Sequence, residues 1–384
     1  MCSSDLSLTN AGLIAWLRAG KGDTAASLQA LSFLATQQGV QGLYLFHKAL
    51  LLDYADSKDA DAAYQEAVTA LGTSARLVEA YGRYLERHNR VADARKLYQR
   101  AVADNPDQPT PAAALKRAGS GRMPDKLVAT PAQGVAESLF GIAASLTERR
   151  SDDISMFYLY MALYLRPDMD VARVLLADRL ERNDDLAGAN AQYALVAANS
   201  PYRQLIDVQS ALNTARLGGN EKAIAQLRAL ANSRPADPQV WAALGDLERD
   251  TDKFNDAVAD YTKAIAAGPS EQSSQWNLYY ARAVAHQEAG KWEDAEADLK
   301  QSLKRSPEQP EVLNYLGYSW VDQGRNLPEA VKMLERAHAL RPLDGYIADS
   351  VGRAYFRLQR YKDAAQALEE AVLLTPGKIG RAHV

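Results

Sequence analysis

The stretch PQVWAALGDLERDTDKFNDAVADYTKAIAAGPSE, residues 238–271, contains two short amphipathic segments separated by a polar turn. The first segment carries Trp241, Leu244 and Leu247 at helical spacing. The second carries Ala257, Tyr261 and Ala264 at steps of four and three. Apolar side chains at such intervals lie along one face of an α-helix. The stretch therefore predicts a hairpin of two helices packed through their apolar faces.

Two further residues of this stretch shape the hairpin. Gly245 lies where the two helices of the pair come closest, and Pro269 ends the second helix because proline lacks a backbone donor. We expect the aromatic Tyr261 to fill the space between successive hairpins. Small residues recur at the position of Gly245 in other parts of the chain: Gly82, Ala143, Ala177, Ala211, Ala283, Gly317 and Gly352.

The hairpin repeats along the chain with a period close to 34 residues. One series of small residues runs Ala26, Ala60, Ala94, Ser155, Ala189, Ala223, Ala257, Ala295, Ala330 and Ala364, with steps of 34, 34, 61, 34, 34, 34, 38, 35 and 34. A second series, of closing prolines, runs Pro106, Pro167, Pro201, Pro235, Pro269, Pro307, Pro342 and Pro376. Both series have the same period and the same interruptions, which is the signature of a repeat protein.

The segments WAALGDL, KFNDAVADYTKAIAAGP and RYKDAAQALEEAVLLTP resemble the tetratricopeptide repeat. The resemblance implies an all-α, right-handed α-solenoid of about ten helix-turn-helix units. The units begin near Ser7, Gln41, Ala75, Ala136, Asp170, Gln204, Pro238, Trp276, Pro310 and Gly345, and the first two are degenerate. Stacking of neighbouring units completes the core that one unit alone leaves open.

The long step in the series places 27 extra residues at 109–135, rich in proline, glycine and alanine. We interpret this segment as a connector between units 1–3 (residues 7–108) and units 4–10 (residues 136–378), with a short helix at 112–118. The alternative is a loop that folds over one face and covers part of the groove. Smaller insertions near 271–274 and 326–328 lengthen turns, which costs little.

The two ends, MCSSDL at residues 1–6 and IGRAHV at residues 379–384, have related coding sequences. ATC GGA AGA GCA CAC GTC encodes the second hexapeptide, and the reverse complement of this DNA encodes Met-Cys-Ser-Ser-Asp from a GTG start. Both resemble a translated sequencing adapter. We therefore expect neither hexapeptide to belong to the native protein.

Composition narrows the classes of partner. The formal net charge is −4 and the pI about 5.8, so no summed positive field favours nucleic acid or an anionic membrane surface. Cys2 is the only cysteine and lies within the first hexapeptide, which leaves no thiol for a disulfide or a zinc site. No apolar run reaches the ~18–20 residues that cross a bilayer.

The chain lacks a recognisable catalytic constellation, and we predict no enzyme activity, cofactor or metal. The glycine pair of RLGGNEK, residues 216–222, lacks phosphate-loop spacing and is predicted to form a turn. Histidines lie in separate units without ligand spacing: His47, His88, His286 and His338. The pairs Asp152/Asp153 and Asp184/Asp185 are predicted to cap helix N-termini.

A partner-binding groove is the best candidate for function. In a stack of this kind the first helices line the concave face, and their residues between packing positions point into it. The predicted groove residues are Tyr280, Asn314, Tyr318, Asp349, Arg353, Phe356 and Arg357. Aromatic and arginine side chains are frequent in binding hot spots. The alternative is that this strip is only the solvated side of amphipathic helices.

One subclass of tetratricopeptide proteins holds a peptide's terminal carboxylate with a Lys–Asn pair in one first helix. At the matching places this chain has Asn314 with Tyr318 and Asp349 with Arg353, so that carboxylate clamp is not expected. From about Thr130 onward the sequence also resembles long tetratricopeptide proteins of alphaproteobacteria, which implies an envelope-associated scaffold. We therefore expect a periplasmic or envelope-associated location, with the cytoplasm as the alternative.

Three hypotheses for function follow. The first is a scaffold that binds a peptide or a partner's helix in the groove. The second is a recruiting or regulatory arm of an enzyme whose catalytic domain lies outside this sequence. The third is self-association through an apolar face left open at Leu373 and Leu374.

Overall fold

The computed structural model describes residues 3–37, 39–268 and 275–375, and the side chains from residue 9 onward. Within these ranges every regular element is helical: there are 21 α-helices and one short 3₁₀ turn at Arg149–Ser151. The predicted all-α class is therefore confirmed. Pro269, Pro376, the insertion at 271–274 and the hexapeptide at 379–384 lie outside the described residues.

The chain divides into two compact units, Met1–Leu217 and Gly218–Val384. The first contains α1 (Ser3–Ala19), α2 (Thr24–Ala35), α3 (Gln41–Tyr54), α4 (Ala60–Leu71), α5 (Ala75–Arg87), α6 (Val91–Asp104), α7 (Pro109–Gly119), α8 (Pro131–Ser145), α9 (Asp152–Leu165), α10 (Asp170–Arg182), α11 (Leu186–Ala194) and α12 (Arg203–Arg216). The second contains α13 (Asn220–Ser233), α14 (Pro238–Asp250), α15 (Phe254–Ala267), α16 (Trp276–Glu288), α17 (Trp292–Arg305), α18 (Pro310–Asp322), α19 (Leu327–Leu340), α20 (Gly345–Arg357) and α21 (Tyr361–Leu374).

The hairpin predicted at 238–271 is formed by α14 and α15. Tyr261 is fully buried, and its ring lies against Gly245, where a Cβ atom would come within 2.9 Å of Cε1. The same ring shares a core cluster with Ala285 of α16. Tyr261 thus packs inside its own pair and also against the next one, which agrees with the predicted role between hairpins.

The aspartate pairs at the turns play different roles. Asp185 is the N-cap of α11, and its carboxylate accepts a hydrogen bond of 2.8 Å from the Gly188 backbone. Asp152, by contrast, is buried in the first turn of α9, where its carboxylate pairs with Arg182 and makes no cap. The prediction of capping was right for Asp185 and wrong for Asp152, because α10 of the following pair brings Arg182 to that carboxylate.

The proline-rich segment contains α7, which begins at Pro109 and packs against α5 and α6. Helix α8 begins at Pro131, five residues before the start near Ala136 that the repeat period indicates. Thr130 is its N-cap, and Gln133 completes a capping box with the backbone of Thr130. Each of these two side chains accepts a hydrogen bond from the backbone N–H of the other residue, which stabilises a helix that begins at Pro131.

Helix α8 packs against α1 and α3, two first helices of the N-terminal pairs. Glycines on α8 make these contacts close: the ring of Trp16 lies directly over Gly134, and a Cβ on Gly141 would come within 2.5 Å of Leu43 Cδ1. Trp16 donates to His47 Nδ1 at 3.3 Å. Burial lowers the pKa of His47 to about 3, so this histidine stays neutral.

A buried ionic cluster of Glu137, Arg76 and Arg166 also fixes the position of α8. Glu137 is 1% exposed, and its carboxylate accepts hydrogen bonds from Arg76 at 3.0 Å and from Arg166 at 2.8 Å. Between α7 and α8, Lys126 donates to the Asp53 carbonyl at 2.9 Å and to the Asp56 carboxylate at 2.6 Å. The face of α1 and α3 is thus covered by α8 itself, while the segment before it is fastened to the end of α3.

Replacing Gly352 by Leu should destabilise the second unit. A Cβ at this position would lie 2.6 Å from Leu368 Cγ, so a bulky side chain forces α20 and α21 apart. Overpacking of this kind costs about 1–3 kcal/mol. Thermal unfolding followed by circular dichroism should show a lower midpoint, whereas Ala365→Leu, on the exposed side of α21, should leave it unchanged.

A buried carboxyl pair in the second unit should make stability depend on pH. Glu248 on α14 is fully buried, pairs with Arg228 of α13, and is hydrogen-bonded to the Asp260 carboxyl on α15. Lys263 holds Asp260 at 2.7 Å. Desolvation, followed by the charge of Asp260, raises the pKa of Glu248 from 4.5 to about 7.

Since the folded state holds this proton more tightly than the unfolded state, stability should fall as pH rises from about 4.5 to about 7. Glu248→Gln keeps a donor toward Asp260 and removes the titrating group. Chemical denaturation at several pH values should therefore show a smaller decline in the variant than in the wild type. Identical pH profiles would contradict a shared proton at this pair.

Candidate partner-binding groove

Helices α18 and α20 form the walls of a cavity of about 340 Å³ in the second unit. Five of the seven predicted groove residues line it: Tyr318, Asp349, Arg353, Phe356 and Arg357. Val321 of α18, Asp322 and Leu368 of α21 complete the lining. Residues that the sequence spaces along two first helices are thus brought together around one opening.

Asp349 and Arg353 form the inner charged pair of this cavity. Asp349 is only 4% exposed, and its Oδ2 accepts a hydrogen bond of 2.7 Å from Arg353 Nε one helical turn away. Because Arg353 Nε points at Asp349, the buried carboxylate is held by a cation. The negative charge of Asp349 is therefore compensated by the guanidinium of Arg353.

Phe356 and Arg357 lie at the mouth of the cavity. The Phe356 side chain is 60% exposed and meets Tyr361 edge to face, with ring centroids 5.6 Å apart. The exposed Arg357 guanidinium lies 3.4 Å from the Asp322 carbonyl. The opening therefore presents an aromatic surface beside a cation, a combination suited to a side chain or carboxylate of a partner.

The other two predicted residues do not line this cavity. Tyr280 of α16 packs edge to face on Tyr315, with centroids 5.8 Å apart, and burial raises its pKa. Asn314 is half-buried, and its side-chain oxygen accepts no hydrogen bond from the described residues. Helical spacing places both residues on first helices, but Tyr280 packs against the core cluster of the second unit.

Sequence reasoning missed the floor of the cavity. Leu368 belongs to the second helix α21, whose residues the periodic pattern assigns to packing only. The available signal was Gly352: because this position lacks a side chain, Leu368 approaches the cavity across it. Val321 lies three residues after Tyr318 on α18 and was not among the predicted groove residues.

Other chemistry is sparse in the part of the chain that the structure describes. There, no group of three or more His, Cys, Asp or Glu side chains is arranged to hold a metal ion. His286 lies 3.8 Å from Asp298, and burial lowers its pKa despite that carboxylate. Among the described helices, none combines the length and apolarity needed to cross a membrane.

The open apolar face predicted near the C-terminal end of the array is visible on α21. Leu373 is 82% exposed, and Leu374 lines a second cavity together with Tyr346. The self-association hypothesis assumed an exposed apolar side chain at this place, and Leu373 is one. Self-association itself stays a prediction.

The chain matches the family model for the tetratricopeptide repeat over residues 50–109, 209–272, 280–342 and 321–379, more than half of its length. It belongs to the tetratricopeptide repeat family. Tetratricopeptide repeat proteins are helical scaffolds for protein–protein interaction. The predicted family membership is thereby confirmed, and with it the general role of this chain as an interaction scaffold.

One tetratricopeptide relative is the TPR repeat-containing protein PA4667 of Pseudomonas aeruginosa, 28% identical over 218 residues. The match covers 56% of this chain, which spans 36% of the length of that relative.

Similar solved structures include MamA and the APC/C hetero-tetramer Cut9–Hcn1. MamA is 17% identical with a TM-score of 0.39, covering 44% of this chain and 95% of its own. The Cut9–Hcn1 match is 14% identical with a TM-score of 0.46, covering 88% of this chain and 74% of its own. Likenesses at these scores assign no site to this tetratricopeptide chain.

Two arginine substitutions should show which charged side chain of the groove contributes to the stability of the fold. Arg353→Ala removes the ion pair of the buried Asp349 and should lower the free energy of unfolding by on the order of 1 kcal/mol. Arg357→Ala, at an exposed side chain, should change it by less than about 0.5 kcal/mol. Urea unfolding of both variants measures the difference, and equal losses would show that Arg357 also supports the fold.

Proposed function

We propose that this tetratricopeptide scaffold binds a peptide or a partner's helix in the groove between α18 and α20. The observation that carries the proposal is the cavity of about 340 Å³, whose rim and walls combine Tyr318, Phe356 and two arginines. A cavity of this size admits one anchoring side chain while the rest of the ligand lies along the exposed rim.

The lining residues favour a ligand that has an apolar side chain next to a hydrogen-bond acceptor. Val321 and Leu368 supply an apolar floor, so an aliphatic or aromatic side chain is the natural occupant. Arg357 at the mouth carries a guanidinium that a carboxylate or backbone carbonyl of the ligand would accept from. The site thus supports a ligand in which an apolar residue is followed by an acceptor group.

The cellular setting of this binding rests on sequence alone. The resemblance to long alphaproteobacterial tetratricopeptide proteins supports a role in cell-envelope assembly. Binding rather than catalysis is the activity proposed for the groove, since Asp349 and Arg353 form an ion pair and the lining residues include no serine, cysteine, histidine or lysine.

A displayed library of random twelve-residue peptides, selected on the wild-type protein, tests the proposal. Phe356→Ala and Arg357→Ala should each weaken the selected peptides at least tenfold in fluorescence anisotropy titrations, because both side chains face the mouth of the cavity. Neither substitution should lower the thermal midpoint, since both side chains are exposed.

Lys332→Ala provides the matched control, because this exposed cation lies on the outer side of α19 in the same unit. It should leave peptide affinity within twofold of the wild type. Peptides that bind the Phe356 and Arg357 variants as tightly as the wild type would show that the groove is not the binding site.

A further inference from the structure

The outward face of α9 in the first unit is apolar. It carries four large side chains at positions i, i+3, i+4 and i+7, here named the α9 stripe: Phe157, Tyr160, Met161 and Tyr164, exposed by 52, 50, 37 and 86%. The opposite face, with Tyr158 and Leu159, is buried against the rest of the unit. Helix α9 is therefore apolar on both sides, although only one side is used for packing.

Two equivalent second helices, α6 and α17, expose small or polar residues at these positions. Aligned through the repeat, α6 places Lys96, Gln99 and Arg100 where α9 has Phe157, Tyr160 and Met161. At the same positions α17 has Ala297, Lys300 and Gln301, all exposed. The repeat fold thus does not require large apolar side chains there, and an exposed cluster of this kind is typical of an interaction site.

The stripe is mounted on a firmly held helix. Ser155 donates to the Ala143 carbonyl at 3.0 Å, and the Tyr158 hydroxyl is 2.9 Å from Thr9 Oγ1 of α1. Asp152 pairs with Arg182 of α10. Because these three contacts hold α9 in place, binding of a partner would require little further loss of conformational entropy in this helix.

Acidic side chains bracket the stripe. Asp153, one turn before Phe157, is exposed and has no ion pair within the described residues. Asp168, four residues beyond Tyr164, is 76% exposed and lies 3.7 Å from Arg166. The cations nearest in sequence already have partners: Arg166 is bonded to the buried Glu137 at 2.8 Å, Arg150 pairs with Glu148, and Arg149 donates to the Arg182 carbonyl at 2.7 Å.

This charge pattern discriminates between occupants. An antiparallel second copy of α9, centred on the stripe, would place Asp153 opposite Asp168 and set like charges together. An anionic membrane surface would be repelled by both carboxylates. A helix with an apolar face and a cation at each end could pack on the stripe and also pair with both carboxylates.

We propose that the α9 stripe binds an amphipathic helix of a partner protein, with an apolar face bracketed by Lys or Arg side chains. Four apolar side chains at helical spacing on each helix interdigitate along the contact, and the terminal cations approach Asp153 and Asp168. This surface is separate from the groove between α18 and α20, and each is tested by different substitutions.

A labelled helical peptide of eighteen residues, with leucines at i, i+3, i+4 and i+7 and two lysines at each end, serves as the probe. Fluorescence anisotropy should show binding to the wild-type protein, and a matched peptide with glutamates in place of the lysines should bind at least tenfold more weakly. Raising the salt concentration should narrow this difference. Phe157→Ser with Tyr164→Ser should weaken the lysine peptide at least tenfold.

The matched control is Leu195→Ser with Leu205→Ser, which alters two leucines of the same unit that are 61 and 59% exposed. It should leave the affinity within twofold. Absence of binding, equal binding of the glutamate peptide, or an equal loss in the control would overturn the proposal. A wild-type dimer in light scattering that Tyr164→Ser dissociates would identify a second copy as the occupant and would also overturn it.

Discussion

The structure depends on the close approach of two helices at one small residue in each hairpin. Where that residue is glycine, a ring or a branched side chain of the second helix occupies the vacant volume: Tyr261 lies against Gly245, Leu334 against Gly317 and Leu368 against Gly352. The contact sets the distance between helices and thereby the direction of each exposed face. The groove inherits its geometry from this contact, because Leu368 reaches the cavity floor across Gly352.

Helix α8 shows how such an array can cover its own surface. Its glycines permit Trp16 and Leu43 to approach, and its Glu137 is neutralised by Arg76 and Arg166. A buried carboxylate without both cations would carry a large desolvation cost. The face of α1 and α3 is consequently part of the core of the first unit and is not open to a partner.

The two proposed surfaces rely on different physics. The groove between α18 and α20 is concave and combines an apolar floor with a guanidinium, so it selects a ligand by a single anchoring residue. The α9 stripe is exposed and apolar, and its proposed selectivity comes from Asp153 and Asp168 at its ends. A scaffold with both kinds of surface would hold two partners of unlike chemistry.

The sequence by itself determined the repeat, the helical hairpins and the positions of close approach, because these follow from local periodicity and from glycine and alanine at fixed steps. It also placed Arg353, Phe356 and Arg357 on one face of α20, since helical spacing is a local property, whereas Tyr318 of α18 meets them only in the tertiary structure. Only the tertiary structure decided that Tyr280 packs against the core, that Asp152 forms an ion pair instead of a cap, and that α8 covers α1 and α3. Each of these outcomes depends on a contact with a side chain that is far away in sequence. Such contacts leave no periodic signal in the sequence.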